Sequence, residues 1–529
     1  MEQVKVSFSN GLEVEVGKGT NLGEVMSSAG QKKDFPCGGL GKCGKCETEI
    51  LVAGTGEKAR VLACSFPVME NIQVLESTAE ETGAVILTGD SPGTPEKHQK
   101  SRGLSSAPLG LAIDIGTTTV VVYLVDLETG EELETGADLN GQRIFGGDVI
   151  SRINLASQGR EQLEKLQKTV LATIKGIITR ITKNTGVSPE QIKFVTVAGN
   201  TCMHHLFLGL DPRGLGRAPF QPVRTEPVQI KAAQLGLELH PEAVVWVFPV
   251  IAGFVGGDTV AAILATRLHE SRGNCLLIDI GTNSEMVVKG QGRMSATSAA
   301  AGPALEGAQI SCGMRAVEGA ISKVSLAPQV EYEVIANSNP RGICGSGIID
   351  VLAEMIKAGL VTNRGRLADP QSFQGPEYLR SRLAGSGHEA KFILVLAEEN
   401  DGKEIHLSQK DISQIQLAKG AIRAAQELLI ESVGISADSI EQVFVAGAFG
   451  NFMNVENGMT IGLLPEWARG KLTGVGNAAG KGAKLALLSE EQRLKAASVR
   501  TQVEFLELGG TEGFQKAFTK GMLFSTQSR

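Results

Sequence analysis

The sequence predicts a multidomain fold: a small α+β domain followed by a large, internally repeated α/β unit. Three observations carry that reading. The chain has 529 residues, too many for a single hydrophobic core. Four of its eight cysteines gather near the start, three within residues 35–46 and one at Cys64. Beyond residue 109, an apolar strand ending in Asp-x-Gly-Thr occurs twice. Composition is ordinary for a globular chain, 42% hydrophobic and 21% charged. A formal net charge of −7 without a basic run argues against a nucleic-acid partner. No apolar run approaches the ~18 residues that span a membrane. The opening Met1-Glu-Gln-Val-Lys-Val lacks the apolar stretch of a signal peptide. Cys202, Cys275, Cys312 and Cys344 are scattered, as free thiols of a reducing compartment are, so a cytoplasmic location is expected.

Taken in order, residues 3–8 and 13–16 alternate apolar and polar around Asn10-Gly11, the signature of a hairpin. Asn21 with Glu24 three residues later predicts a cap and capping box for a helix over 22–29, stopped by Gly30. The cysteine loop follows, then strands expected at 47–52 and 71–76. Five residues separate Cys37 from Cys43, two separate Cys43 from Cys46, and seventeen precede Cys64. Three thiolates in a Gly-rich loop plus a distant fourth is the ligand pattern of a two-iron cluster. Gly38, Gly39, Gly41 and Gly44 let the loop wrap closely, having no Cβ to clash. A zinc knuckle and four unrelated buried thiols are the alternatives, but structural zinc usually draws on two short Cys or His pairs and no second pair exists here. Residues 79–108 are polar and breaker-rich apart from the short 84–87 run, and read as a linker.

The repeat occupies residues 109–529. Leu111-Ala-Ile-Asp114-Ile-Gly116-Thr117-Thr118-Thr119 is matched by Leu277-Ile-Asp279-Ile-Gly281-Thr282-Asn283-Ser284. Residues 145–153 align with 302–310, and 194–200 with 443–451. Two α/β halves that each present Asp-x-Gly-Thr at a strand end suggest one nucleotide gripped between them. Turn N–H groups and hydroxyls suit phosphate, and the carboxylates suit Mg²⁺ or its waters. The halves are expected at 109–270 and 271–529, with extra chain near 325–405.

These motifs resemble the actin/Hsp70/sugar-kinase (ASKHA) ATPases, with Asp114–Thr119 as phosphate-1, Asp279–Asn283 as phosphate-2 and Val445–Gly450 as the adenosine strand and turn. The cysteine stretch resembles plant- and adrenodoxin-type [2Fe-2S] ferredoxins, which implies a β-grasp domain over 1–78. The combination is similar to the reductive activators of corrinoid proteins. That resemblance implies ATP-dependent return of a Co(II) corrinoid to Co(I), a corrinoid protein of a methyltransferase system as partner, an upstream low-potential electron donor, and a lean toward a homodimer. It implies Cys37, Cys43, Cys46 and Cys64 as cluster ligands, and Asp114 and Asp279 as Mg²⁺-associated carboxylates. Gly116, Thr117, Thr118, Gly281, Thr282 and Asn283 would meet phosphate, and Gly447, Ala448 and Gly450 the base or ribose. Asp258, in Gly256-Gly257-Asp258, would orient the hydrolytic water, with a helix N-cap as its bland reading. Asp148 carries the same ambiguity.

Several features read as packing. Cys202, His204 and His205 sit among Met203, Leu206 and Phe207, the pattern of a buried helix. Residues 343–350 are a Gly-rich helix entry that either lines the cleft or caps a helix, and Cys312 and Cys344 read as buried small apolar residues. Residues 474–482 lack P-loop spacing, and predict a helix–loop contact within the second half. Ser408-x-x-Asp411 opens an amphipathic helix that Gly434 stops. Rival functions are an activator of a 2-hydroxyacyl-CoA dehydratase-type enzyme, a nucleotide switch with structural zinc, and a small-molecule kinase.

Overall fold

Apolar–polar alternation in Gln3–Phe8 (β1) turns Val4, Val6 and Phe8 to one face. In the computed structural model, which describes residues 2–29, 41, 44, 46–75 and 108–524, β1 pairs antiparallel with Glu13–Gly17 (β2). Thr20–Asn21 (β3) leads into helix Leu22–Ser28 (α1) and pairs with Pro67–Val68 (β6). Glu47–Val52 (β4), Lys58–Leu62 (β5) and Ile72–Val74 (β7) complete a sheet of order β2-β1-β7-β4-β5. Its central β1–β7 pair is parallel and its other pairs are antiparallel. Leu22, Val25 and Met26 bury α1 against Val6, Ile50 and Val74. Strand β5 is additional to the expected plan, and β7 is shorter than 71–76.

The capping box is corrected. Asn21 Oδ1 does accept the Gly23 N–H at 2.9 Å. Its Nδ2 donates to the Cys64 carbonyl at 2.9 Å, tying the helix start to a cysteine. Glu24 instead pairs with Lys165 at 2.9 Å. Gly30, Cys37, Cys43 and linker residues 79–107 lie outside the described residues.

Leu109–Ile115 (β8) is apolar along nearly its whole length because both its faces are covered. It joins Thr119–Asp126 (β9), Glu132–Leu139 (β10), Ile192–Gly199 (β11), Val228–Lys231 (β12) and Val244–Val247 (β13) in the order β10-β9-β8-β11-β13-β12. Helices Val149–Ala156 (α2), Arg160–Thr185 (α3) and Thr201–Leu208 (α4) cover one face through Ile153, Leu166, Ile174 and Phe207. Helix Gly257–Thr266 (α5) lies on the other.

The second sheet holds Asn274–Asp279 (β14), Ser284–Gly290 (β15), Arg293–Ala299 (β16), Ile440–Ala446 (β23), Leu472–Gly476 (β24) and Val503–Phe505 (β25) in the order β24-β23-β14-β15-β16-β25. Between β16 and β23 run Ala320–Ser325 (β17), Glu331–Val334 (β18), Gly342–Ile343 (β19) and helix Gly345–Lys357 (α6), followed by Glu377–Arg380 (α7), Leu383–Ala384 (β20), Lys391–Val395 (β21), Ile405–Ser408 (β22) and Gln409–Ser432 (α8). Strands β17–β19 and β20–β22 make two small sheets, so the extra chain is a layered cap. The Ser408–Asp411 capping box forms, and Gly434 turns left-handed (φ 72°) after α8.

In both large sheets an Asp-bearing strand pairs antiparallel with the next strand and parallel with a later one. The middle sequence match does not carry over. Residues 149–156 are helical while 302–310 form turns.

Helices Ala448–Phe452 (α9), Val455–Thr460 (α10), Ala478–Leu488 (α11), Glu490–Gln502 (α12) and Phe514–Met522 (α13) complete the chain. Helix α11 corrects an expectation. It packs across the halves, against α5 and β8, rather than within the second half. Thr196 Oγ1 donates to the Ala483 carbonyl at 2.8 Å, and Ala483 and Leu487 share one core with Ala112, Ala261, Leu277 and Phe444. Helices α5 and α11 are therefore sandwiched between the two sheets. No helix among the described residues is long and apolar enough to cross a membrane.

Candidate functional site

The two Asp-x-Gly-Thr turns face each other across a cavity of about 570 Å³. Asp114 ends β8, and the turn to β9 closes with the Gly116 N–H donating to the Thr119 carbonyl at 2.9 Å. Asn140 Nδ2 donates to the Gly116 carbonyl at 2.9 Å, and Asn200 Nδ2 to Thr117 Oγ1 at 2.9 Å. Asp279 ends β14. In the following turn Thr282 Oγ1 donates to Glu306 Oε1 at 2.8 Å. Asp114, Gly116, Thr117, Thr118, Asp258, Asp279, Gly281, Thr282, Asn283 and Gly447 all line this cavity.

Gly447 has φ 79°, and a Cβ there would meet the Ile280 carbonyl at 2.9 Å and Asp279 Oδ1 at 3.0 Å. Only glycine lets the chain turn away from β23 this close to the end of β14. Gly450 is outside the cavity lining. Its Cα faces the Val445 carbonyl, which an added Cβ would meet at 2.1 Å, so close backbone packing accounts for it. Ala448 opens α9.

Electrostatics make this an acidic pocket in want of a cation. Burial, then the neighbouring Asp258, push Asp114 up to about 7, although the Asn477 side chain donates to its Oδ2 at 2.9 Å. Burial and the charges of Asp258 and Asp114 push Asp279 up to about 7. Asp258 is raised by burial too. Its N-cap reading fails, because Gly256 is the cap and Asp258 sits inside the first turn. Asp148 shows the opposite outcome: its carboxylate accepts the Ser151 N–H at 2.7 Å and caps α2.

Some lining residues carry no motif. Glu285, on β15, is 9% exposed and accepts from Ser298 Oγ at 3.1 Å; burial, Asp258 and Asp279 hold its carboxyl well above the usual range. A glutamate directly before the apolar Met286-Val287-Val288 run of β15 was the available signal. Arg143, Glu306, Arg315 and Asn477 also line the cleft. Cys344, Gly345 and Ser346 reach it as well, so residues 343–350 do both things expected of them, opening α6 and lining the cavity.

The pocket suits a Mg²⁺-bound nucleotide: Asp114 and Asp279 come from the two sheets, and the Gly116–Thr118 and Gly281–Asn283 turns line the same cavity. Among the described residues no group of three or more His, Cys, Asp or Glu is placed to hold a metal ion by itself. Mg²⁺ does not need one, since it binds through one or two carboxylates, waters and phosphates.

For the cluster, Cys46 is buried and Cys64 half-buried, both as free thiols. The described loop residues Gly41 and Gly44 have φ 67° and 70°. A Cβ at Gly41 would lie 3.7 Å from Ser65 Oγ, so the loop runs beside the Cys64 segment. Of the four expected ligands, Cys46 and Cys64 alone fall within the described residues.

Elsewhere the bland readings hold. His205 Nδ1–H donates to the Thr201 carbonyl at 2.8 Å and Nε2 accepts the Val223 N–H at 3.0 Å, leaving no lone pair for a metal. Burial pushes His204 down to about 3. Cys344 is buried as expected. Cys312 is only half-buried, with its sulfur 3.7 Å from His406 Nδ1.

Comparison with known proteins sets this geometry in context. Residues 109–271 match the RACo middle region, and 273–529 match the C-terminal domain of RACo, the ASKHA domain. The corrinoid activation enzyme RamQ of Eubacterium limosum is 32% identical over 97% of each chain. The [Co(II) methylated amine-specific corrinoid protein] reductase of Methanosarcina barkeri is 27% identical, covering 70% of this chain and 68% of that one. A solved structure of a reductive activator for corrinoid, iron-sulfur protein superposes with a TM-score of 0.72, at 30% identity over 98% of both chains.

Proposed function

Since this chain belongs to the family of reductive activators of corrinoid proteins, we propose that it returns a corrinoid protein from Co(II) to Co(I) in an ATP-dependent, one-electron step. The observation that carries the ATP part is the facing of Asp114 and Asp279 across one cavity. In this reading the two large sheets are diverged copies and the small sheet is a β-grasp ferredoxin domain. Cys46 and Cys64, with Cys37 and Cys43, would hold a [2Fe-2S] cluster, which when bound supplies one electron at a time. Asp114 and Asp279 neutralise and orient Mg²⁺ with its waters. The Gly116–Thr118 and Gly281–Asn283 turns receive phosphate oxygens, and Gly447 lets the nucleoside pass.

Asp258 is placed to orient the attacking water. Its raised proton affinity suits a group that takes up a proton as the water attacks. Hydrolysis then alters the contacts that hold the halves together. Binding energy can drive an unfavourable electron transfer only if nucleotide states differ in affinity for the corrinoid protein. The partners are therefore a corrinoid protein of a methyltransferase system and a low-potential donor.

The test is anaerobic: protein, reductant and a Co(II) corrinoid protein, following Co(I) absorbance with and without MgATP. Co(I) should form only with MgATP and fail to form in Cys46→Ala and Asp279→Ala. Equal Co(I) formation without nucleotide would sink the ATP-coupled reading.

A further inference from the structure

Arg152, on α2, is fully buried (0% exposed), and among the described residues its hydrogen bonds go to no carboxylate, Asp148 acting on it only through its charge. A buried guanidinium normally pairs with an acid. This one spends its donors on neutral groups of three segments, one of them Met203 of α4, whose sulfur accepts from Nη1 at 3.4 Å. Nη2 donates to the Thr117 carbonyl at 2.5 Å, within the phosphate-1 turn. Nη1 donates to Gln142 Oε1 at 3.2 Å and Nε to the Gly146 carbonyl at 2.9 Å. Gln142 lies in the short turn Gly141–Ile144, which Asn140 caps. Asn140 also donates to the Gly116 carbonyl. The phosphate-1 turn and the 140–145 segment are thus stitched together twice, and Arg143 between them faces the cleft.

The far end of that segment meets the cysteine-bearing domain. Ile144 packs against the core built by β1, α1 and β4. Lys165 lies 4.5 Å over the Phe145 ring and pairs with Glu24 of α1 at 2.9 Å. In turn, α1 is tied to the Cys64 carbonyl through Asn21. A continuous path of hydrogen bonds and packing therefore runs from the phosphate-1 turn to a cysteine.

We propose that Arg152 is a positioning residue that couples occupancy of the phosphate-1 turn to the seating of the cysteine-bearing domain on the 140–145 segment. The inference rests on the nucleotide reading given above. Polyphosphate fixes Thr117 and Thr118. Arg152 and Asn140 then hold the 140–145 segment, and α1 is seated more firmly. Linkage requires the reverse as well: loosening the seat weakens nucleotide binding by the same factor.

Hydrogen exchange of the full-length protein, with and without a non-hydrolysable MgATP analogue, tests this, with analogue binding measured in parallel by equilibrium dialysis. Exchange in α1 should slow on binding. Arg152→Lys keeps the charge but loses the fork that joins the phosphate-1 turn to the 140–145 segment, so it should bind analogue while α1 no longer responds. Glu24→Lys should weaken analogue binding roughly fivefold, at the low end of usual coupling between sites, and Lys165→Glu in the same chain should restore it. The charge swap tests the seat itself, while a merely structural role for Arg152 would not produce loss of the α1 response with analogue binding kept. Analogue binding with α1 exchange unchanged or faster overturns the coupling and leaves the nucleotide reading standing. No analogue binding to the unaltered protein overturns both.

Discussion

At the scale of single residues, the cleft holds charges that the fold by itself disfavours. Asp114 has a folded-state value near 7 against an ordinary 3.8. The folded chain therefore binds a proton that the unfolded chain has released across that interval. The sign follows: this group favours folding most below about pH 4, and the ligand-free protein loses stability as pH climbs toward about 7. Asp114→Asn removes the penalty. It should raise the melting temperature of ligand-free protein far more at pH 8 than at pH 4.5, while abolishing Mg²⁺-dependent nucleotide binding. Thermal melts at the two pH values check this, and an equal shift at both would refute the electrostatic account. A second residue-scale prediction concerns Gly447, whose φ of 79° and 2.9 Å approach to the Ile280 carbonyl leave no room for a methyl group. Gly447→Ala should cost more than about 1 kcal/mol, the usual penalty where alanine is forced to positive φ. Urea unfolding measures it, and an unchanged midpoint would show that the turn relaxes.

At the scale of elements, what the sequence made legible was whatever a local pattern could encode. Strands β8 and β14 are continuous apolar runs because both faces are buried, and the Asp-Gly-Thr turns follow them directly. The α8 capping box needed only Ser408 and Asp411. Illegible features depend on distant partners. Arg152, with Ser151 and Asn154 around it, reads as a solvent-facing helix position; only the fold brings Thr117 over it. Asn477 meets Asp114 across 363 positions of sequence. Helix α11 looked local because nothing in residues 474–482 names its partner, which is α5 of the other half. That contact makes its own prediction. A Cβ on Gly482 would lie 2.0 Å from the Ala261 carbonyl, backbone that cannot step aside. Gly482→Ala should destabilise by about 1–3 kcal/mol, as overpacking does, and weaken nucleotide binding because α5 carries Asp258. Gly509→Ala, where a Cβ meets nothing within 4 Å, is the matched control. Equal stability of the two variants would show that α5 and α11 separate without cost.

At the scale of the whole molecule, two sheets meet through α5 and α11 and close on one acidic pocket, so bound nucleotide must be felt as global stability. A ligand that binds only the folded state stabilises it by about 2.7 kcal/mol at one hundred times its dissociation constant. Here the cation decides whether that happens. Free ATP would bring its phosphates against Asp114, Asp258 and Asp279, whose proton affinity burial already raises, with repulsion from neighbouring aspartates adding to it at Asp114 and Asp279. MgATP brings the opposite charge to the same carboxylates. The melting temperature should therefore rise with MgATP and hardly move with ATP plus a chelator. The difference should widen from pH 6 to pH 8, because above about 7 the carboxylates are ionised and the cation has full charge to meet. Cys46→Ala should retain this response while losing the visible absorbance of bound iron, since its sulfur lies in the small sheet's core rather than in the cleft. An equal thermal shift with and without Mg²⁺ would place the nucleotide away from the facing aspartates and dismantle the reading built on them.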